Sequence, residues 1–414
     1  MISEAIILAG GLGTRLRETV PDVPKCMAPV AGRPFLSYVI DMMRMQGIER
    51  IIFSLGYKNE IITSYLQEQY PTLDYTIVVE QQPLGTGGGI SLALQKCKTS
   101  NILIANGDTL FRINVAEMYQ LHNEAMALCT LALKPMKNFD RYGVVETNDQ
   151  HRVISFREKQ FYPEGLINGG VYIIQKETFL RFSVPEVFSF EKDFLEKYVN
   201  DKNIYGSIQN GYFIDIGIPE DFRKASDDLQ RIVPELKEID KSWTLFLDRD
   251  GVINDERLGE YVLHWNQFIF SKGVLEVFKK LSSVFHRVII ISNQRGVGKG
   301  LMTEEALQSI HLEMQREVEI VHGKIDRIYY CTIKDDKNFF RKPNPGMAFQ
   351  AIREFPDIDL SRSIMVGNKP SDMRFGRSAG MFTAFVKTTN PDQVFPHPDI
   401  DFIYDSLYEF AMAL

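Results

Sequence analysis

Along the first 110 residues, short apolar runs alternate with stretches of helical spacing. Ala5–Leu8, Ile51–Leu55, Thr76–Val79 and Ile102–Ala105 are rich in Ile, Val and Leu without strict alternation, the pattern of strands buried on both faces of a parallel sheet. Phe35–Gln46, stopped by Gly47, and Lys58–Gln69 space their apolar positions as helices do. Such alternation predicts an α/β fold with a doubly wound, mostly parallel sheet, whose ligands bind beyond the carboxyl ends of the strands. From about 130 to 220 the pattern turns β-rich (Cys129–Leu133, Gly143–Glu146, Gly170–Ile174), as expected of a lid over a second substrate. Asp221–Ile232 reads as a helix and Pro234 follows it.

The polar stretch Glu235–Lys241 marks a boundary. A second alternating series then begins. Thr244–Leu247, Val288–Ile291, Arg327–Tyr330, Ser363–Val366 and Phe382–Val386 read as strands, with helical stretches at Leu275–Ser283, Glu304–Val318 and Gly346–Glu354. The expected organisation is a first domain over 1–234, a linker at 235–242 and a second domain over 243–414.

Composition narrows the class. A chain of 414 residues is too long for one core. Its net charge is −7 and no block of basic residues occurs, which sets nucleic-acid binding aside. Cys26, Cys97, Cys129 and Cys331 are scattered without a disulfide framework, as in a reducing compartment. No apolar run approaches the ~20 residues of a membrane span. The expectation is a cytoplasmic protein that acts on small molecules, with a homo-oligomer left open. The seven histidines show no metal spacing.

Candidate chemistry begins directly after the first strand. Gly10, Gly11 and Gly13 form a loop whose backbone amides can turn toward phosphate oxygens. The third glycine of G-x-G-x-x-G is missing, and G-x-x-x-x-G-K-[ST] occurs nowhere, which disfavours dinucleotide and P-loop folds. The segment continues Gly13-Thr14-Arg15, Pro24-Lys25 and Pro29-Val-Ala-Gly-Arg-Pro34. Then come Pro83-Leu-Gly-Thr-Gly-Gly88, Asn106-Gly-Asp108, Tyr142-Gly143, Phe156-Arg-Glu-Lys159, Asn168-Gly-Gly170 and Asp215-Ile-Gly217. In this order the motifs resemble the sugar-1-phosphate nucleotidyltransferases over roughly residues 1–230. The resemblance implies that a sugar 1-phosphate oxygen attacks the α-phosphate of a nucleoside triphosphate and expels pyrophosphate. Gly10, Gly11, Gly13, Thr14 and Arg15 would then hold the triphosphate, and Lys25 would meet the developing charge. Asp108 and Asp215 would hold Mg²⁺. Gln81 and the Gly85–Gly88 loop would read the base, with Gly143, Glu158 and Asn168 on the sugar and Lys159 on its phosphate.

A second constellation follows Thr244–Leu247. Asp248-Arg-Asp250-Gly-Val252 is followed by Ser292-Asn-Gln294, Arg341-Lys342-Pro343 and Gly367-Asn-Lys-Pro-Ser-Asp372. The set resembles the haloacid dehalogenase superfamily of phosphatases from 243 to about 390, and so implies a second Rossmann-like domain. Asp248 would attack phosphorus to form an aspartyl-phosphate. Asp250 would serve as general acid and then base, and Ser292 and Lys342 would steady the phosphoryl group. The metal set carried over is Asp248, Asp250, Asn368 and Asp372, holding Mg²⁺. Asn293, Arg295, Lys299 and Arg341 would face the sugar or a second phosphate.

Gly259-Glu-Tyr-Val262, Ser292–Gly300 and Arg341–Met347 look like the heptose 1,7-bisphosphate 7-phosphatases, with the histidinol phosphatases close behind. Two departures stand out. The Cys/His zinc loop usual before Arg-Lys-Pro is reduced to one cysteine, Cys331, so no zinc is expected. Asn368 stands where a carboxylate is common. The N-terminal half looks most like the heptose 1-phosphate guanylyltransferases, and the two resemblances meet on one metabolite. A mannose 1-phosphate transferase carrying a broad or non-catalytic phosphatase-like module is the alternative.

Overall fold

The computed structural model describes residues 2–11, 20–200, 203–230, 232–257 and 259–414. Gly13, Thr14 and Arg15 lie outside the described residues. Chain contacts separate two compact units, Met1–Arg231 and Ile232–Leu414.

In the first unit, β1 (Glu4–Ala9), β2 (Arg50–Leu55), β3 (Asp74–Val79), β4 (Asn101–Asn106), β5 (Cys129–Phe139), β6 (Tyr162–Gln175) and β7 (Ile204–Ile208) form one sheet. Their order is β7-β5-β6-β4-β1-β2-β3. β1 pairs in parallel with β2 and β4. The exception to the parallel arrangement is β6, antiparallel to both β4 and β5. Successive residues of β1 feed opposite layers. Ala5, Ile7 and Ala9 join the core formed with the helices Phe35–Met45 and Asn59–Gln69, while Ile6 joins that of the helix Gly85–Leu94. An apolar run without alternation is what two covered faces require.

The structure corrects the expected lid. Cys129–Leu133 and Val171–Ile174 are strands of the central sheet, because runs this apolar are buried on both faces. The outer halves of β5 and β6 extend the same sheet, paired through Tyr162↔Phe139 and Ile167↔Lys134, and the separate ribbon Val145–Thr147/Val153–Phe156 lies outside it.

In the second unit, β8 (Thr244–Leu247), β9 (Arg287–Asn293), β10 (Arg327–Cys331), β11 (Ser363–Gly367), β12 (Phe382–Val386) and β13 (Phe402–Tyr404) form a sheet ordered β10-β9-β8-β11-β12-β13. Every pairing is parallel. Leu245 and Leu247 face one core and Phe246 the other. The expected linker is not a free connector. Leu236–Glu238 forms a 3₁₀ turn with a Glu235/Glu238 capping box, and Ile239 is buried in the second core. In each sheet successive strands are laid down on opposite sides of one central strand, β1 in the first and β8 in the second. Crevices open beyond the carboxyl ends of strands at such points, and both constellations fall there.

Among the described residues, no helix is long and apolar enough to cross a membrane.

Candidate active sites

At the first edge, three residues far apart in sequence converge. Lys25 lies in the 3₁₀ turn Lys25–Met27, anchored by buried Cys26 and Met27. Asp108 follows β4. Asp215 ends the short strand Phe213–Asp215, which pairs antiparallel with Thr109–Phe111. Lys25 Nζ stands 2.7 Å from Asp108 Oδ2 and 3.2 Å from Asp215 Oδ1. Burial pulls the ammonium down, but Asp108 and then Asp215 outweigh it, and its pKa is raised. The Gly217 amide donates to Asp215 Oδ1 at 2.8 Å and fixes that carboxylate. Gly10 packs against Gly56 and the Glu80 side chain, and Gly11 is exposed.

The glycine helix has a packing reason that the motif alone did not reveal. A Cβ on Gly88 would lie 2.4 Å from the Glu186 carbonyl oxygen, and one on Gly85 2.5 Å from that of Phe188. The Gly87 amide donates to the Phe188 carbonyl at 3.0 Å. Gly88 is buried against this segment, while Gly85 and Gln81 are exposed. Asn168 sits where the β5–β6 register shifts. Asn168 Nδ2 donates to Tyr172 Oη (2.9 Å), Tyr172 Oη donates to Glu191 Oε1 (3.2 Å), and Thr86 Oγ1 donates to Glu191 Oε2 (2.7 Å). Tyr172 and Glu191 were missed in the sequence. Gly143 is pressed against the Arg157 carbonyl, and Glu158 and Lys159 are exposed.

The second edge is tighter. Lys342 Nζ lies 2.8 Å from Asp248 Oδ1, 2.7 Å from Asp372 Oδ1 and 3.0 Å from the Ile291 carbonyl. Burial and neighbouring Asp372 push the Asp248 carboxyl above the usual carboxylate range, against the pull of Lys342. Asn293 Nδ2 donates to the Lys342 carbonyl (3.0 Å) and its Oδ1 accepts from the Lys342 amide (3.1 Å), which clamps the loop that carries the lysine.

The Asp250 side chain is held by a set of donors. Its carboxylate accepts from Arg249 (2.8 and 2.9 Å), Asn254 Nδ2 (3.1 Å) and Gln294 Nε2 (3.0 Å). Burial raises its carboxyl, but Arg249 more than offsets that and leaves it lowered. Arg249 is itself fully buried and donates to His311 Nε2 at 3.1 Å. The same Gln294 nitrogen reaches Ser292 Oγ at 2.7 Å, so Ser292 and Asp250 share one tether. Arg295 and Arg341 both pair with Asp336, the latter at 2.8 Å, and Lys299 lies over the Tyr261 ring at 5.2 Å.

The donor sets suit a hard cation. Each site offers two carboxylates, the number Mg²⁺ takes when substrate phosphates and water complete its shell. At the second site, buried Asn368 Oδ1 has no hydrogen-bond partner. Among the described residues no three His, Cys, Asp or Glu side chains converge, and Cys331 is buried with Asn338 beside its sulfur.

A profile described as nucleotidyl transferase matches residues 4–232, and one described as HAD hydrolase-like matches 339–410. The chain belongs to the nucleotidyl transferase family through its first unit, with a haloacid dehalogenase-type hydrolase unit following. Particular relatives sharpen this. The chain is 51% identical over 230 residues to the D-glycero-alpha-D-manno-heptose 1-phosphate guanylyltransferase of Aneurinibacillus thermoaerophilus, covering 56% of this chain and 100% of that protein. It is 33% identical over 173 residues to the D-glycero-alpha-D-manno-heptose-1,7-bisphosphate 7-phosphatase of Mycobacterium bovis, covering 42% of this chain and 91% of that one. The solved structure of HddC from Yersinia pseudotuberculosis, also determined complexed with GMP-PN, matches at 34% identity with a TM-score of 0.51 over 55% of this chain and 99% of its own. Nucleotidyltransferases and phosphatases of these classes generally use Mg²⁺.

Proposed function

We propose that this chain carries out two consecutive steps on one heptose. The second unit removes the 7-phosphate from D-glycero-D-manno-heptose 1,7-bisphosphate, and the first transfers GMP from GTP to the resulting heptose 1-phosphate. One observation carries the reading. The two units resemble two enzymes of which the first to act leaves what the next consumes, and the sequence carries the nucleophile, acid and lysines of the second motif set and the lysine and carboxylates of the first. Four buried free cysteines suit a cytoplasmic enzyme.

In the phosphatase step, an oxygen of Asp248 forms a bond to phosphorus while the bond to the sugar oxygen breaks. Asp250 gives a proton to that leaving oxygen. The carboxylate then takes a proton from the water that attacks phosphorus and frees Asp248. Arg249 favours the ionised form of Asp250, the form the second half needs; the first half starts from Asp250 carrying a proton taken from solvent, and the attacking water returns that proton at the end of the cycle. Lys342 and Ser292 neutralise and orient the phosphoryl oxygens, and Arg295, Lys299 and Arg341 meet the distal 1-phosphate. In the transferase step, the heptose 1-phosphate oxygen attacks the α-phosphorus in line and pyrophosphate leaves. Catalysis of this type is chiefly positioning and charge neutralisation. Arg15 binds the triphosphate, Lys25 stabilises the charge developing on the α-phosphate, Lys159 holds the sugar's phosphate, and Gly143, Glu158 and Asn168 hold the sugar. Gln81 and the edge of the Gly85–Gly88 turn face the base. Mg²⁺, held by Asp108 with Asp215 and by Asp248 with Asp372, would screen the phosphate charges in each site.

The test is release of phosphate and pyrophosphate from purified protein given Mg²⁺, heptose 1,7-bisphosphate and each nucleoside triphosphate in turn. Phosphate without nucleotide, and pyrophosphate with GTP alone, is the expected result. Pyrophosphate from mannose 1-phosphate together with no action on the bisphosphate would overturn it.

A further inference from the structure

Asn368 presents two anomalies with one physical cause. It occupies the strand end after β11 where a carboxylate would serve a cation better, and it is fully buried with an amide oxygen that no donor satisfies. A buried acceptor left unpaired is destabilising, so its presence asks for a reason. The other half of the amide is fully engaged. Asn368 Nδ2 donates to Glu256 Oε2 at 3.1 Å and also to Thr389 Oγ1.

Glu256 itself is held by Lys369. An ionised carboxylate only accepts hydrogen bonds, so the group facing it must donate. That settles which way the amide is turned, since the reverse would set two acceptors against each other. It also explains why a carboxylate is absent at 368: an aspartate there would put two negative charges in hydrogen-bond contact inside the protein. Gly251 (φ +86°) completes the clamp, because a Cβ at that position would lie 2.1 Å from Asn368 Nδ2. The main chain of residue 368 is tied to the site as well, its amide donating to Asp372 Oδ2 at 3.2 Å.

We propose that Glu256 is a positioning residue that turns the Asn368 amide, so that its Oδ1 serves beside Asp248 and Asp372 as a third protein donor to Mg²⁺. Asparagine at 368 and glutamate at 256 form a matched pair. The inference rests on the reading that the second site takes Mg²⁺. Partners that orient a ligand typically govern affinity by about 10- to 100-fold.

The experiment is titration of the full chain carrying Asp108→Asn and Asp215→Asn, which removes the first site's two carboxylates, with Mg²⁺ alone by calorimetry. Mn²⁺ binding followed by electron spin resonance and unfolding temperature in EDTA are measured alongside. Glu256→Ala is expected to weaken the second-site affinity about 10- to 100-fold with little change in EDTA unfolding, and Glu256→Gln, whose amide oxygen still accepts from Asn368, to recover most of it. Asn368→Asp is expected to improve Mg²⁺ affinity at least about tenfold more in the Glu256→Gln background than beside Glu256, a coupling that a merely structural role would not produce. Equal effects of Asn368→Asp in both backgrounds, or unchanged affinity in Glu256→Ala, would overturn the pairing. Should Glu256→Ala fail to fold, the Asn368→Asp comparison decides alone. Absence of Mg²⁺ binding at the second site of the parent protein, with Asp248→Asn making no difference, would overturn the underlying metal reading instead.

Discussion

The two sites use the same device, an ammonium between two carboxylates, in opposite surroundings. Lys25, Asp108 and Asp215 keep 16%, 35% and 27% of their side-chain surface exposed, whereas Lys342, Asp248 and Asp372 keep 2%, 8% and 1%. The contrast follows the chemistry proposed for each. Nucleotidyl transfer makes no bond to the protein, so its site stays open and is completed by the charges that the substrates bring. A carboxylate that must itself attack phosphorus is instead kept out of water, with its counter-ion built in. The exposed triad contributes little to stability and the buried one a great deal, because unpairing a buried charge costs far more than unpairing a wet one.

Three substitutions probe that contrast, beginning with the largest effect. Asp248→Asn removes the nucleophile, so phosphate release should fall by roughly 10⁴-fold or more, while GTP-dependent pyrophosphate release from heptose 1-phosphate is unchanged. Loss of both activities together would mean that the sites are not separable. Next, Lys342→Met leaves two carboxylates buried against each other and should destabilise the second unit by about 3–5 kcal/mol, read from hydrogen exchange of the β8 and β11 amides. Lys25→Met should slow pyrophosphate release about 10²–10³-fold yet shift exchange in β1 and β4 by about 1 kcal/mol or less. Equal destabilisation by the two lysine substitutions would dissolve the comparison.

The smallest effect concerns pH. Burial lowers His122 in the first unit to about 4, with its ring nitrogens on Thr130 and Asn101. The folded unit therefore keeps His122 neutral, whereas the unfolded chain takes up its proton below about 6.5. Stability from this group is complete above that value and is lost as pH falls toward 4, by roughly 2 kcal/mol between pH 7 and pH 5. His122→Gln should flatten that part of the acid dependence, measured as the difference between variant and parent in urea unfolding at the two pH values.

Both constellations were legible because the glycine loop, Asp108, Asp248 and the Asn368–Asp372 segment each follow an apolar strand and the remaining motifs come in a fixed order. The sheets were legible for the same reason, since Ile and Val runs without alternation specify covered strands. What escaped the sequence was pairing across distance. Glu191 meets Thr86 and Tyr172, and His311 meets Arg249, only once the sheets are assembled. His311 did leave a faint signal: it shares the apolar stripe of its helix with Leu307, Ile310, Met314 and Val318, an odd place for an imidazole without a partner. Gly88 and Asn293 carry reasons that the motifs did not reveal, backbone packing in the first case and clamping of a loop in the second.

The central claim is that the two sites act in order on one sugar. Phosphorus NMR of a single reaction containing the enzyme, Mg²⁺, GTP and heptose 1,7-bisphosphate tests it directly. The account predicts that the 7-phosphate signal gives way to inorganic phosphate before any sugar nucleotide signal grows, and that the final product carries no monoester. A sugar nucleotide that still bears its 7-phosphate, formed before inorganic phosphate is released, would contradict it.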